Sequence, residues 1–207
     1  MPDAMSLDSG TITLMILRWF QFLFGIAWIG HLYFFNFVNG PFGKTMDADT
    51  KKKVVPQLMP RALWWFRWGA MITFLTGWAY IIGKLQLNGR PFSDLFTTVW
   101  GQWIGSGALM GSIMWFNVWF IIWPSQKVII TSVKTGQSPA DLAAITRRAF
   151  LASRVNTYLS VPLLFCMGAA SHFPSFNWIT FLVMAVFSVV LTWHLIEKVS
   201  PKVGSNF

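Results

Sequence analysis

The chain has 207 residues, and its composition differs strongly from that of a soluble domain. Hydrophobic residues make up 55% and charged residues 11%, whereas an ordinary soluble domain has about 25% charged residues. Lys and Arg number 16 against 7 Asp and Glu, which gives a net charge of +9. The basic residues lie between apolar segments, so they indicate membrane topology and exclude nucleic acid as the expected partner. We expect a single membrane domain over residues 1–207.

Five segments are long and apolar enough to cross a bilayer, for which a helix needs about 20 apolar residues. They cover residues 11–38, 62–83, 99–123, 150–170 and 176–196. Pro60 fits the first turn of the second segment, and Pro124 is expected to end the third. The predicted fold is therefore all-α, a polytopic membrane bundle of about five transmembrane helices.

The basic residues of the connections predict the orientation of this bundle, because Lys and Arg collect on the cytoplasmic side. They are concentrated in the first and third connections and in the C-terminal tail: Lys44, Lys51, Lys52, Lys53, Arg61, Lys127, Lys134, Arg147, Arg148, Lys198 and Lys202. Five crossings then place the N-terminus outside and the C-terminus in the cytoplasm. We expect a multi-pass protein of the bacterial inner (plasma) membrane.

The acidic residues and the cysteine restrict the chemistry. All seven acidic residues lie outside the predicted spans or at their ends: Asp3, Asp8, Asp47, Asp49, Asp94, Asp141 and Glu197. Proton-coupled transporters usually place a carboxylate inside the membrane, so a transporter is disfavoured. Cys166 is the single cysteine, so the sequence has no CxxCH motif for covalent attachment of a c-type haem.

Small and polar residues inside the spans indicate helix packing. The third segment contains Gly101-x-x-x-Gly105 and Gly107-x-x-x-Gly111, a spacing that lets helix backbones approach closely. We expect this helix to be central in the bundle. Five further polar residues are expected to form hydrogen bonds across helices: Arg18, Gln21, Asn117, Asn156 and Thr157.

Two histidines are the strongest indication of a cofactor. His31 lies in the inner part of the first span and His194 in the last turn of the fifth, so both fall in the predicted cytoplasmic half at similar depth. Neutral imidazole is a good iron ligand, and two histidines on different helices at one depth suit a bis-histidine haem b. In the alternative interpretation, both histidines form ordinary hydrogen bonds. His172, at the outer end of the fourth span, is expected to be a surface residue.

The surroundings of the two histidines suit a large flat ring. Gly30 removes a side chain beside His31, and Phe34, Phe35, Trp28 and Trp193 offer an apolar lining. Basic residues at the predicted inner surface are candidates to neutralise haem propionates: Arg61, Arg67, Arg154 and Lys198.

Three motifs resemble the membrane domain of the bacterial urate oxidase N-terminal family. They are GIAWIG at 25–30, RALWWFR at 61–67 and MWFNVWFIIWPSQK at 114–127. The resemblance covers about the first 130 residues well and the remainder more loosely. It implies an α-helical membrane module associated with electron transfer, which in the family's urate hydroxylases precedes a c-type cytochrome domain. The present sequence is expected to lack that cytochrome c domain.

The leading hypothesis is a membrane subunit of an electron-transfer complex that holds haem b between His31 and His194. Its partners would be the lipid bilayer and other membrane or cytochrome subunits. One alternative is a cofactor-free structural accessory subunit. Another is a urate hydroxylase-like membrane module that works with a separate cytochrome c. No residue set for independent catalysis is recognisable, so we expect an electron-transfer or non-catalytic subunit rather than an independent enzyme.

Overall fold

The computed structural model describes residues 8–204, so Asp3 lies outside the described residues. Regular structure in this range is helical throughout. The five long helices, named in chain order, are α1 (Ser9–Thr45), α2 (Ala48–Leu87), α3 (Val99–Thr135), α4 (Leu142–His172) and α5 (Trp178–Val203). Four of the five predicted spans lie within one long helix each, whereas the span 176–196 starts two residues before α5. A short helix, Asp94–Thr97, precedes α3. The prediction of an all-α membrane fold is confirmed.

Within residues 8–204, four helices are long and apolar enough to cross a membrane: α1, α3, α4 and α5. Helix α2 has 40 residues and is therefore long enough, but its apolar section includes Arg67 and ends at Lys84. The structure thus supports a multi-pass membrane protein, while the count of five crossings and the orientation stay predictions.

Helices α1 and α2 pack as an antiparallel pair through glycine. A Cβ built at Gly69 would lie 3.1 Å from the backbone nitrogen of Trp28, and one built at Gly83 would lie 3.1 Å from the Leu14 side chain. The contacts move toward the start of α1 as they move toward the end of α2, which makes the pair antiparallel. The close approach at Gly69 is to backbone atoms, so a larger residue there would separate the helices.

Helices α3 and α4 form the second antiparallel pair. A Cβ built at Gly107 would lie 3.3 Å from the Cβ of Cys166, and one built at Gly111 would lie 3.4 Å from the Leu163 side chain. Gly101 instead lies against the backbone of the short helix Asp94–Thr97. The close approach expected from the two glycine motifs is confirmed. Helix α5 packs chiefly on α4, at the side of the two pairs.

Polar side chains of α4 connect the two pairs. The Tyr33 hydroxyl of α1 lies 3.0 Å from the Ser160 hydroxyl, and the Asn36 amide donates to the Ser153 hydroxyl at 2.9 Å. Both contacts join the C-terminal half of α1 to the middle of α4. In an apolar bundle such bonds fix which helix faces belong together.

A buried asparagine pair joins α3 to α4. Asn117 Nδ2 donates to Asn156 Oδ1 at 2.8 Å, and Asn156 Nδ2 donates to the carbonyl of Met114 at 3.0 Å. The predicted cross-helix hydrogen bonding of Asn117 and Asn156 is confirmed. Thr157 instead donates to a carbonyl of its own helix.

Three long helices contain a π-helical segment that ends just before a proline. The segments are Phe34–Asn39, Asn117–Ile122 and Leu195–Val199, and the prolines are Pro41, Pro124 and Pro201. In each case the residue before the proline donates its N–H five residues back: Gly40 to Phe35, Trp123 to Val118 and Ser200 to Leu195. The wider turn relieves the clash of the proline ring with the carbonyl of the preceding turn.

The structure corrects two predicted boundaries. Helix α3 does not end at Pro124 but continues to Thr135, because the π-helical segment before the proline accommodates its ring. Pro60 does not start α2, which begins at Ala48. There the Asp47 carboxylate caps the helix by accepting from Thr50 N at 2.9 Å, and hydrogen bonds from the Thr50 side chain and backbone lower the pKa of Asp47.

Helices α1, α3 and α5 finish at the same end of the bundle, which also holds most of the basic residues. The π-helical segments of α1 and α5 contact each other there. We call it the basic end, defined by Lys44, Lys51, Lys52, Lys53, Lys127, Lys134, Arg147, Arg148 and Lys198. It is the end predicted to face the cytoplasm.

Candidate functional site

A cavity of about 560 Å³ lies between the two antiparallel helix pairs. It is lined by residues of α1, α2, α3 and α4 and is partly open to the surroundings of the bundle. Its described lining is mostly apolar and includes aromatic residues of α1 and α2: Phe22, Trp28, Tyr33, Phe74 and Trp78. A volume of this size lies within the range of about 300–1,000 Å³ that is usual for small-molecule sites.

Two glycines widen this cavity without serving helix packing. A Cβ built at Gly30 or at Gly168 would meet no atom within 4 Å, and both residues line the cavity. Glycine inside a helix costs about 0.5–1 kcal/mol relative to alanine. Because neither position is crowded, close packing does not explain these glycines, and their effect is to leave space beside the helices.

The polar residues of the cavity are concentrated away from the basic end. Arg18 Nη1 donates to Gln21 Oε1 at 3.2 Å, and the guanidinium lies 4.9 Å from the ring centres of both Phe22 and Tyr80. These contacts hold the Arg18 side chain along α1 and against α2. Arg18 and Gln21 were expected to form hydrogen bonds across helices, but this bond lies within α1. The two side chains form one end of the cavity.

Gln21 spans the gap from α1 to α2. Its Nε2 atom would lie 2.7 Å from a Cβ built at Gly77, so the absence of a side chain at Gly77 gives the amide its place. Since Gln21 Oε1 accepts from Arg18, the Nε2 donor remains for another partner. None of the described residues that line the cavity is acidic. This end of the cavity is therefore rich in donors and suits an acceptor group.

Two buried groups of the cavity walls have unused hydrogen-bonding capacity. Trp28 is only 2% exposed, and its Nε1 has no hydrogen-bond partner among the described residues; the same holds for Thr73 Oγ1. Buried donors without partners are uncommon in folded proteins. Because they lie on facing helices, this is a region where contacts within the chain leave side-chain hydrogen-bonding groups without partners.

The two histidines predicted to ligate haem lie outside this cavity. His31 is half-buried, and its Nδ1 lies 2.7 Å from the Ala27 carbonyl of its own helix. His194 is exposed on α5. The π-helical segments that begin within three residues after them, Phe34–Asn39 and Leu195–Val199, contact each other, so both histidines lie toward the basic end. The haem ligation itself stays a prediction.

Three arginines predicted to face the propionates have partners within the chain. Arg61 donates to the Gln57 carbonyl, and Arg154 pairs with Glu197 at 3.3 Å. Arg67 is enclosed by tryptophan rings of α2 and α3, with its guanidinium 4.1 Å from the Trp123 ring centre and 5.2 Å from that of Trp119. Such cation–π contacts stabilise a cation in an apolar setting, here without a carboxylate partner among residues 8–204. Lys198 lies 5.6 Å from the Trp193 ring centre.

His172 is exposed, as predicted, at the end of α4. Its Nδ1 lies 3.0 Å from the Gly168 carbonyl, and the residue also lines the cavity. Sequence reasoning did not place His172 near Arg18 and Gln21, because that requires knowing that α1 and α4 face the same space. The sequence shows glycine at positions 30 and 168 within apolar helices, but only the structure shows that both positions face open space.

Comparison with known proteins identifies one family. Residues 91–203 match the model of the urate oxidase N-terminal family, so the match includes the motif at 114–127 and lies beyond those at 25–30 and 61–67. The match therefore covers the C-terminal half, where the resemblance was expected to be looser. No curated protein and no solved structure matches the chain. The family match covers more than half of the 207 residues, and the chain belongs to the urate oxidase N-terminal family.

Proposed function

We propose that the chain is a membrane subunit of an electron-transfer complex. The observation that carries this proposal is its membership of a family described by urate oxidation, since an oxidation must pass electrons to an acceptor. The acidic residues within 8–204 lie near the helix ends, a distribution that favours electron transfer over proton transport through the bundle. Other membrane or cytochrome subunits would supply the donor and the acceptor.

The finer form of this proposal is a haem b ligated by His31 and His194. With its proton on Nδ1, directed at the Ala27 carbonyl, His31 keeps Nε2 free as a ligand, which is the usual arrangement of metal-binding histidines. An exposed His194 fits a haem placed at the surface of the bundle, where a partner subunit would cover it. A haem bound there would exchange single electrons near the basic end.

A reduced-minus-oxidised spectrum of the purified protein tests the haem. We expect the α-band of a b-type haem in the unaltered protein, its loss in His31→Ala and in His194→Ala, and its retention in the control His172→Ala. The control removes an imidazole from the far end of the bundle. An absent α-band, or an unchanged one in His31→Ala, would reject the histidine pair and leave the cofactor-free accessory subunit as the simpler interpretation.

The family match favours a second candidate, a urate hydroxylase-like module that works with a separate cytochrome c. Membranes containing the chain would then reduce added cytochrome c when urate is supplied, at a rate well above that of membranes without the chain. Equal rates with every added partner cytochrome would remove this candidate. Another electron donor that gives chain-dependent reduction would instead support the broader proposal.

A further inference from the structure

We propose that the cavity between the two helix pairs binds an isoprenoid quinone, with its ring near Arg18 and Gln21 and its chain directed toward Tyr33. This inference rests on the proposed electron-transfer function, for which it names a lipid-soluble redox partner. It concerns binding alone and does not depend on the haem.

The length of the cavity argues for a ring that carries a long apolar chain. Its lining on α1 extends from Arg18 to Tyr33, which at 1.5 Å per residue is about 22 Å. A compact purine would fill only one end. Urate is also polar on every edge, and the mostly apolar walls would leave those edges without partners, which is costly.

The width of the cavity argues for a flat group. Gly30 and Gly168 leave open space on α1 and α4, whereas Gly107 lies in close contact with Cys166 of the neighbouring helix. Aromatic residues such as Phe22 and Trp78 line the same space and favour a flat ring over a flexible chain alone.

The end of the cavity formed by Arg18 and Gln21 favours a ligand that carries carbonyl acceptors. Gln21 Nε2 is a donor without a partner among the described residues, and Arg18 adds a cation beside it. The described lining has no carboxylate that would accept from a hydroxyl headgroup. Quinone carbonyls accept hydrogen bonds and carry no charge, so they can leave the bilayer for this cavity at little desolvation cost.

Binding is measured by titrating the purified protein, in detergent, with a short-chain ubiquinone and following the quenching of tryptophan fluorescence. Gly168→Leu places a side chain in the open space, and we expect its dissociation constant to rise at least about tenfold. Gln21→Leu removes the amide donor, and we expect a rise of about 3- to 10-fold. The matched control is Gly43→Leu, which adds the same side chain outside the cavity and should leave binding unchanged.

Each outcome decides the inference. Unchanged binding in a folded Gly168→Leu protein would overturn it, and Gly30→Leu provides the same test if that variant does not fold. Purified protein that binds phospholipid but not the quinone would also overturn it, since the cavity would then hold an acyl chain. Quinone binding without electron transfer would reject the proposed function alone, and electron transfer without quinone binding would reject this inference alone.

Discussion

Replacing Trp103 by alanine is expected to destabilise the folded bundle by about 3–5 kcal/mol. Trp103 is 0% exposed, and its Nε1 donates to the Ser175 carbonyl at 3.0 Å. Its ring contacts four phenylalanines, with ring centres 5.7, 5.9, 4.8 and 6.2 Å away: Phe165, Phe173, Phe176 and Phe181. These residues belong to α4, α5 and their connection, so this one side chain holds α3, α4 and α5 together at the end opposite the basic end.

The effect should come mainly from lost packing, because lipid offers an apolar side chain much the same environment as the protein interior. Trp103→Phe keeps part of the ring and loses the hydrogen bond, so we expect a loss of about 1–2 kcal/mol. The measurement is reversible unfolding in mixed detergent micelles, followed by circular dichroism. Trp19, which is 60% exposed on α1, gives the matched control Trp19→Ala. Equal losses in the Trp103→Ala and Trp19→Ala proteins would contradict the proposed packing role.

The helices themselves were predictable from sequence because crossing a bilayer requires long apolar segments, and each predicted segment overlaps one observed helix. The end of α3 was not predictable in the same way. Pro124 normally stops a helix, but the π-helical segment Asn117–Ile122 shifts the backbone bonding by one residue and lets the helix continue to Thr135. A proline in the sequence does not by itself tell whether a helix ends there or continues past it through such a wider turn.

The candidate site was less predictable than the fold. The depth of a residue in a span follows from counting along the helix, so His31 and His194 were expected near one end of the bundle. Which way each side chain points depends on how the helices are rotated against each other. Gly30 was therefore assigned to a haem beside His31, whereas the structure places it on the cavity that Gly168 of α4 also lines. Gly30 and Gly168 line one cavity only because α1 and α4 pack in this way, and the sequence of neither helix shows that packing.

The second large loss of stability is expected at the buried pair Asn117 and Asn156. Asn156 is 0% exposed and links the Asn117 amide to the Met114 carbonyl, so Asn156→Ala leaves one buried donor and one buried acceptor without this partner. Individual hydrogen bonds in membrane bundles contribute about 0.6 kcal/mol on average, but unpaired buried groups cost about 1–3 kcal/mol. We expect Asn156→Ala to destabilise the bundle by about 2 kcal/mol.

The structure also predicts which backbone amides the loss of stability in Asn156→Ala affects most. Asn117 is the first residue of the π-helical segment of α3 and Met114 lies three residues before it, where the backbone changes from bonding four residues back to five. The amides of Val118–Ile122 should therefore exchange faster with deuterium in the Asn156→Ala protein, while those of α2 change little. The exposed Asn88, whose amide donates to the Lys84 carbonyl at the end of α2, provides the control Asn88→Ala. If Asn117→Ala and Asn156→Ala destabilise the protein additively, the two side chains are not coupled and the pair does not hold the segment in place.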